Sequence, residues 1–245
     1  MRLVLLADGI VGKKIAKFLI ERYPDDLALV VTTKKNEIYC EAEKKKVPVC
    51  IFDSEKEILI RINGRVDLGV LAWWPNILTK LLLDAPRNGF VNTHPSLLPY
   101  NRGKHYNFWA LVEQTPFGVT LHRADTKVDT GDIIAQKTID YDWTDTGETL
   151  YNKAQSAMLD LFCKTYLLLR KGQFKSIPQN LKKGSFHLAS ELEPASEINL
   201  NKRYSANELL NLLRARTFKG HPGCWLESNG IRHEVTVKIK KKLIK

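Results

Sequence analysis

Short apolar runs recur along the first half of the chain, each ending near a turn and each separated from the next by residues with helical spacing. That alternation constrains the fold more than any other feature. The runs lie at 2–6 (RLVLL), 27–32 (LALVVT), 47–51 (VPVCI), 67–72 (DLGVLA) and 89–93 (GFVNT). Val11 to Tyr23 and Glu55 to Ile62 repeat their apolar residues at helical intervals. Strands alternating with helices predict a doubly wound, mainly parallel α/β sheet. Such sheets bind ligands beyond the carboxyl ends of their strands, at a topological switch point, so functional residues are expected just after strands.

Two further strands are expected at Phe117 to His122 and Asp132 to Ile139, joined across the loop Arg123 to Gly131 as a hairpin-like addition. A long apolar-periodic helix follows from Thr146, its candidate N-cap, to Arg170, closing near Gly172. Pro178 to Pro194 is polar and irregular, Ser205 to Arg214 has the spacing of a short helix, and Asn229-Gly230 turns the chain into a terminal strand at Ile231 to Ile239. The expected organisation is a catalytic domain over residues 1–180 and a small α+β C-terminal extension over 181–245.

Composition removes several classes. At 245 residues and 44% hydrophobic, the chain can bury a sizeable core and is not expected to be disordered. Its first apolar run is too short for a signal peptide, and no window reaches the ~18 uninterrupted apolar residues of a membrane span, so a soluble cytoplasmic protein is expected. Cys40, Cys50, Cys163 and Cys224 lie far apart without a CxxC pair, which suggests mostly buried, reduced thiols and neither a zinc site nor a disulfide framework. The net charge of +11 suits an anionic partner. Part of it comes from five lysines between Lys238 and Lys245, a pattern expected of a solvated edge or frayed end.

The chemistry concentrates at Val91-Asn92-Thr93-His94-Pro95-Ser96-Leu97-Leu98-Pro99. Strand alternation places Asn92 and His94 on one side. A carboxamide can donate to a developing oxyanion, an imidazole can exchange a proton near neutral pH, and the two prolines favour a rigid loop behind them. Alone, Asn-x-His would equally describe a turn cap and a satisfied histidine.

In its surroundings the stretch resembles the N-x-H-P-S-L-L-P signature of the folate-dependent formyltransferases. Gly118-Val119-Thr120-Leu121-His122 and Val128-Asp129-Thr130-Gly131-Asp132-Ile133-Ile134 resemble that family's second motif, with Asp129, not Asp132, at the catalytic aspartate. The resemblance implies a Rossmann-like formyltransferase core and formyl transfer from N10-formyltetrahydrofolate to a primary amine without a metal. It implies catalysis by Asn92, His94 and Asp129: Asn92 or protonated His94 would meet the oxyanion, and Asp129 would orient the imidazole. A folate site largely of backbone is implied, with Ile77, Leu78, Phe90 and Asp125 as candidate contacts. His122 is a possible neighbour of the site.

The family divides by acceptor. Methionyl-tRNA enzymes carry a β-barrel after the catalytic domain and a longer basic loop after the first strand; here about 65 residues follow position 180, and Ala7-Asp8-Gly9 leads directly into a helix. Glycinamide ribonucleotide enzymes carry a glycine-rich phosphate turn near the N-terminus, of which Asp8-Gly9-Ile10-Val11-Gly12 is a weak version. Tyr100 to Ala110, Leu71 to Pro75 and Leu213 to Trp225 instead resemble nucleotide-sugar N-formyltransferases. That resemblance implies a dTDP-linked amino-dideoxy sugar, with dTDP-4-amino-4,6-dideoxyglucose the first choice, a role in surface (O-antigen, lipopolysaccharide) polysaccharide synthesis, and a homodimer with no nucleic-acid partner. Candidate substrate contacts are Trp74, Arg102, Lys104, Phe218, Lys219 and Trp225, with Arg214 and Arg216 near the last three. Methionyl-tRNA formylation and a non-catalytic nucleotide-binding protein on the same fold are the alternatives.

Overall fold

The computed structural model describes residues 1–242, so the last three residues of the lysine-rich end lie outside the described residues. From the start of the chain the elements are β1 (Leu3–Ala7), α1 (Gly9–Arg22), β2 (Leu27–Thr32), α2 (Glu37–Lys44), β3 (Val49–Ile51), α3 (Glu55–Ile62), β4 (Leu68–Ala72), α4 (Lys80–Leu83) and β5 (Phe90–His94). There follow β6 (Arg102–Gly103), α5 (Tyr106–Val112), β7 (Gly118–Arg123), β8 (Ile133–Thr138) and α6 (Gly147–Arg170). The last are β9 (Phe186–His187), α7 (Leu192–Ala195), α8 (Ala206–Arg216), β10 (Cys224–Ser228) and β11 (Ile231–Val235).

Seven strands form one sheet in the order β3-β2-β1-β4-β5-β7-β8. The β2-β3, β1-β2, β1-β4 and β4-β5 pairs are parallel, and β7 runs antiparallel to β5. β1 and β4 are buried along their whole length, as strands covered on both faces must be, and that is why they appear in the sequence as continuous apolar runs. The order reverses between β1 and β4, the switch point such sheets use for ligands. Gly69 on β4 is required by packing: a Cβ there would lie 2.2 Å from the Phe90 ring.

Helix boundaries follow their caps. Asp8 accepts from Gly9 N at the start of α1, and Ser54 accepts from Glu57 N at the start of α3. Thr146 and Thr149 exchange hydrogen bonds between side chain and backbone in both directions, making Thr146 the N-cap of α6 as its sequence suggested. Gly172, at φ +64°, ends that helix with its N–H donating to Leu169 O. Ser205 and Glu208 close a capping box on α8.

Several expectations need adjusting. α8 runs two residues further than Arg214, and the terminal strand stops at Val235 and not Ile239. Asn229 and Gly230, both at positive φ, make the hairpin turn before it. The irregular 178–194 region contains β9, α7 and single helical turns. Of the cysteines only Cys50 and Cys224 are buried, while Cys40 is exposed.

By contacts the chain divides into two compact units, and neither is cut off at residue 180 alone. One comprises Met1–His94, Val119–Lys137 and Gln155–Gln179; the other comprises Pro95–Gly118, Thr138–Ala154 and Asn180–Lys245. Two internal excursions therefore cluster with the C-terminal segment, a grouping that local periodicity cannot reveal.

In the first unit Asp26 is 3% exposed, accepting from Tyr166 Oη at 2.7 Å and from Arg170 Nε and Nη2 at 2.7 and 3.1 Å. Burial alone would raise its pKa; the bonds from Arg170 and Tyr166, with the Arg170 charge, outweigh burial and lower it. A lowered carboxylate stabilises the fold above its unfolded pKa of about 4, and that stability is lost as pH falls through the native value. Asp26→Ala strands the buried Tyr166 hydroxyl and is expected to cost about 2 kcal/mol. Denaturant unfolding at pH 7 and pH 3 should show a smaller difference between variant and wild type at the lower pH.

Candidate active site

The site grows from the carboxyl end of β5. Thr93 points to the side of the strand opposite Asn92 and His94 and ties β5 to its neighbour: its hydroxyl donates to Leu71 O at 3.0 Å and accepts from Trp73 N at 3.2 Å. Asn92 and His94 share the other side, as alternation required. Antiparallel pairing with β7 sets Asn92 opposite His122 and His94 opposite Thr120.

Asp129 reaches the same place from the loop between β7 and β8. Its Oδ2 lies 3.3 Å from His94 Nδ1, and its Oδ1 lies 3.3 Å from Asn92 Nδ2 and 3.5 Å from His122 Nε2. The His94 side chain is 5% exposed and that of Asp129 10%. The expected trio is therefore one hydrogen-bonded cluster, and His122, 2% exposed, is its fourth member. The expectation that His122 might neighbour the site is met; its direct bond to Asn92 needed the strand register.

The loop holding Asp129 is itself held. Asp129 adopts a left-handed conformation at φ +53°. The Gln179 amide donates to the carbonyls of both Asp129 and Gly131, at 3.0 and 2.6 Å. Asp125 accepts from Lys127 N at 3.0 Å and from the Thr130 hydroxyl at 2.7 Å. Asp125, a candidate folate contact, thus braces the loop. Asp132 accepts from Ser176 and takes no part in the cluster, consistent with its exclusion as the catalytic aspartate. Gln179 had no signal in the sequence, being 50 residues from the aspartate whose backbone it holds.

The other folate candidates separate by burial. Leu78 and Phe90 are 5% and 2% exposed and belong to one buried hydrophobic cluster, which Trp74 packs against. Ile77 is 74% exposed. Trp74 packs its ring edge-on to Phe52 at 5.4 Å, and its buried indole Nε1 has no protein partner.

The remaining substrate candidates lie in the second unit. Phe218 and Lys219 line one cavity of about 660 Å³ together with Trp143, Arg214, Arg216 and Lys238. Phe218 is held edge-on by Tyr151 and His221. Trp225, Arg102 and Lys104 are not among the residues lining this cavity. Trp225 instead carries the Arg232 guanidinium 4.2 Å over its ring. Arg214 is 4% exposed and donates from Nε to Asn211 and from Nη1 to the carbonyls of Asp142 and Asp145, so part of its guanidinium is committed to the fold.

Two guanidiniums in this unit do hold an unpartnered buried nitrogen, Nε of Arg102 and Nε of Arg216. His105, to which the sequence assigned no role, titrates below the usual histidine value because burial, then the charges of Arg216 and Lys104, oppose its cation. A concentration of positive charge is what an anion needs. Among the described residues no group of three or more His, Cys, Asp or Glu side chains could hold a metal, and no helix is long and apolar enough to cross a membrane.

Comparison with known proteins identifies the family and the fold. Residues 14–165 match the family described as Formyl transferase, and residues 191–241 match the N-formyltransferase dimerization C-terminal domain. The methionyl-tRNA formyltransferase of Geobacillus thermodenitrificans is 40% identical over 123 residues, 49% of this chain and only 38% of that relative's length. Two solved structures cover far more. A 4-N formyltransferase from Francisella tularensis, 22% identical, superposes over 98% of both chains with a TM-score of 0.81. The N-formyltransferase from Helicobacter canadensis, in complex with folinic acid and dTDP-3-aminofucose, is 19% identical over 94% of this chain and 85% of its own, with a TM-score of 0.73. At those identities the two structures speak to the fold. The family match extends over more than half of the sequence and contains Asn92, His94 and Asp129, and this chain therefore belongs to the formyl transferase family.

Proposed function

We propose that the protein transfers a formyl group from N10-formyltetrahydrofolate to the amine of a nucleotide-linked amino sugar. The observation that carries this reading is the cluster of Asn92, His94 and Asp129, with an imidazole whose Nδ1 is turned to a carboxylate at 3.3 Å. Nε2 is the His94 nitrogen that this reading assigns to the reacting atoms. The acceptor nitrogen attacks the formyl carbon, forming the new C–N bond and an oxyanion; collapse of that intermediate breaks the bond to N10 of the folate. The acceptor nitrogen gives up a proton and N10 gains one, so the two transfers balance. His94 is the group placed to relay the proton, while Asp129 orients the ring and stabilises its cationic form. Asn92 can supply a donor to the oxyanion.

Three things support an amino sugar on a nucleoside diphosphate as acceptor. The cavity with Phe218, Lys219 and Arg216 offers an aromatic surface beside cationic groups. Arg102 and Arg216 each bury an Nε that has no protein partner. The Helicobacter canadensis protein, similar over 94% of this chain, was solved with a dTDP-amino sugar. Within that class the substrate proposed is dTDP-4-amino-4,6-dideoxyglucose, destined for surface polysaccharide. Trp74, Lys104 and Trp225 are proposed as further contacts, and the match to a dimerization domain supports a homodimer.

The methionyl-tRNA reading rests on the 40% identical segment. Incubation with formyl donor and, in turn, dTDP-, UDP- and GDP-amino sugars, glycinamide ribonucleotide and methionyl-tRNA separates the readings by mass. A gain of one formyl group on a nucleotide sugar is expected; a gain on methionyl-tRNA alone would overturn the sugar assignment.

A further inference from the structure

We propose that His122 is a positioning residue that fixes which end of the Asn92 amide faces Asp129. His122 lies on β7, 2% exposed, and both of its ring nitrogens are engaged. Nδ1 is 2.8 Å from the carbonyl oxygen of Arg123. A carbonyl only accepts, so Nδ1 carries a proton and the other nitrogen of the neutral ring carries the lone pair. That nitrogen, Nε2, lies 3.1 Å from Asn92 Nδ2. The Asn92 amide therefore donates to it.

Asp129 fixes the same choice from the other side. Its Oδ1 is 3.3 Å from Asn92 Nδ2. Turning the amide over would set Asn92 Oδ1 against a carboxylate oxygen and against an imidazole lone pair, two acceptor-to-acceptor contacts in a buried site. A doubly protonated His122 would instead aim an Nε2 proton at the protons of Asn92 Nδ2. Nε2 lies 3.5 Å from Asp129 Oδ1 but 3.1 Å from Asn92 Nδ2, and the closer partner decides its role: a backbone carbonyl sets the tautomer of His122, the tautomer makes Nε2 an acceptor, and that acceptor sets the amide.

The consequence concerns the reaction proposed above, on which the kinetic part of this inference rests. One Asn92 proton is held by His122 at 3.1 Å, and the other meets Asp129 at the longer distance of 3.3 Å. With the first proton held by His122, the second is the amide donor shared between Asp129 and, in the reaction proposed above, the oxyanion.

Two substitutions of similar size separate positioning from packing. The side-chain oxygen of glutamine can replace Nε2 as an acceptor, whereas the side-chain nitrogen of asparagine can replace Nδ1 as a donor to Arg123 O but leaves Asn92 without its acceptor. His122→Gln is expected to keep kcat within about tenfold of wild type, and His122→Asn to lose about 10²-fold, with KM for the acceptor little changed in both. Equal losses in the two variants, or wild-type kcat in His122→Asn, would overturn the proposal.

Because either variant can fail to fold, a second measurement uses the wild-type protein without substrates. Nitrogen-15 correlation spectra at neutral pH should show the His122 proton on Nδ1 and a lone pair on Nε2; a proton on Nε2 overturns the inference whatever the variants do. This readout needs no turnover. Failure of the formylation assay with an Nδ1-protonated His122 would sink the functional reading and leave the positioning intact.

Discussion

His94→Ala is expected to lower kcat about 10³-fold while the folded structure persists. Of Asn92, His94 and Asp129, the imidazole is the group that can both receive and return a proton near neutral pH. Its position is set by Asp129 at Nδ1, so Asp129→Asn, which keeps the shape but replaces the carboxylate, should also cost about 10²-fold or more by releasing the ring. Because the aspartate acts through the imidazole, the losses should not add: the double variant is expected to be little worse than His94→Ala alone. Single-turnover formyl transfer measures the chemical step, and circular dichroism with thermal melting verifies folding. A folded His94→Ala within threefold of wild type would remove the imidazole from the chemistry. Additive losses in the double variant would mean that Asp129 acts on the substrate directly.

The first half of the fold was legible because its strands are buried on both faces. Residues 27–32 and 55–62 have the predicted bounds, the first as a strand and the second as a helix. α2, α4 and α5 were not singled out; each is short, and α5 opens at a His105 with φ +57° and no side-chain cap, so the usual start signal is missing. The grouping of Asn92, His94 and Asp129 was legible because alternation and the motif resemblance agreed. The supporting residues were not. His122 needed the β5-β7 register to meet Asn92, and Gln179 needed the chain to return from α6 to meet Asp129 and Gly131. Leu78 and Phe90 are apolar near the motif and buried in the core, and apolar residues carry no mark in the sequence that separates packing from ligand contact. Sequence patterns identify elements and the chemistry at their ends, but tertiary pairing decides which polar groups brace them.

Gly131 shows how closely that bracing is set, and Gly131→Ala is expected to lower kcat about 10²-fold without removing any reacting group. A Cβ at this position would lie 1.9 Å from Arg123 O and 2.8 Å from its carbonyl carbon, well inside contact distance with backbone. Arg123 cannot yield easily, since its N–H donates to Asp132 O at 2.8 Å and its carbonyl faces His122 Nδ1 at 2.8 Å. The displacement must therefore pass into the 129–131 loop, against the Gln179 amide that grips the carbonyls at both of its ends. Moving Asp129 by about 1 Å breaks a 3.3 Å contact with His94, and misplacement on that scale can cost about 10²-fold in rate. Overpacking of this kind costs about 1–3 kcal/mol of stability, so the melting temperature should fall as well. Gln179→Ala loosens the same loop without forcing it and should lose less activity than Gly131→Ala. If Gly131→Ala melts early but turns over at the wild-type rate, Asp129 is not held by this loop; if kcat falls with the fold intact, the loop sets the geometry on which His94 depends.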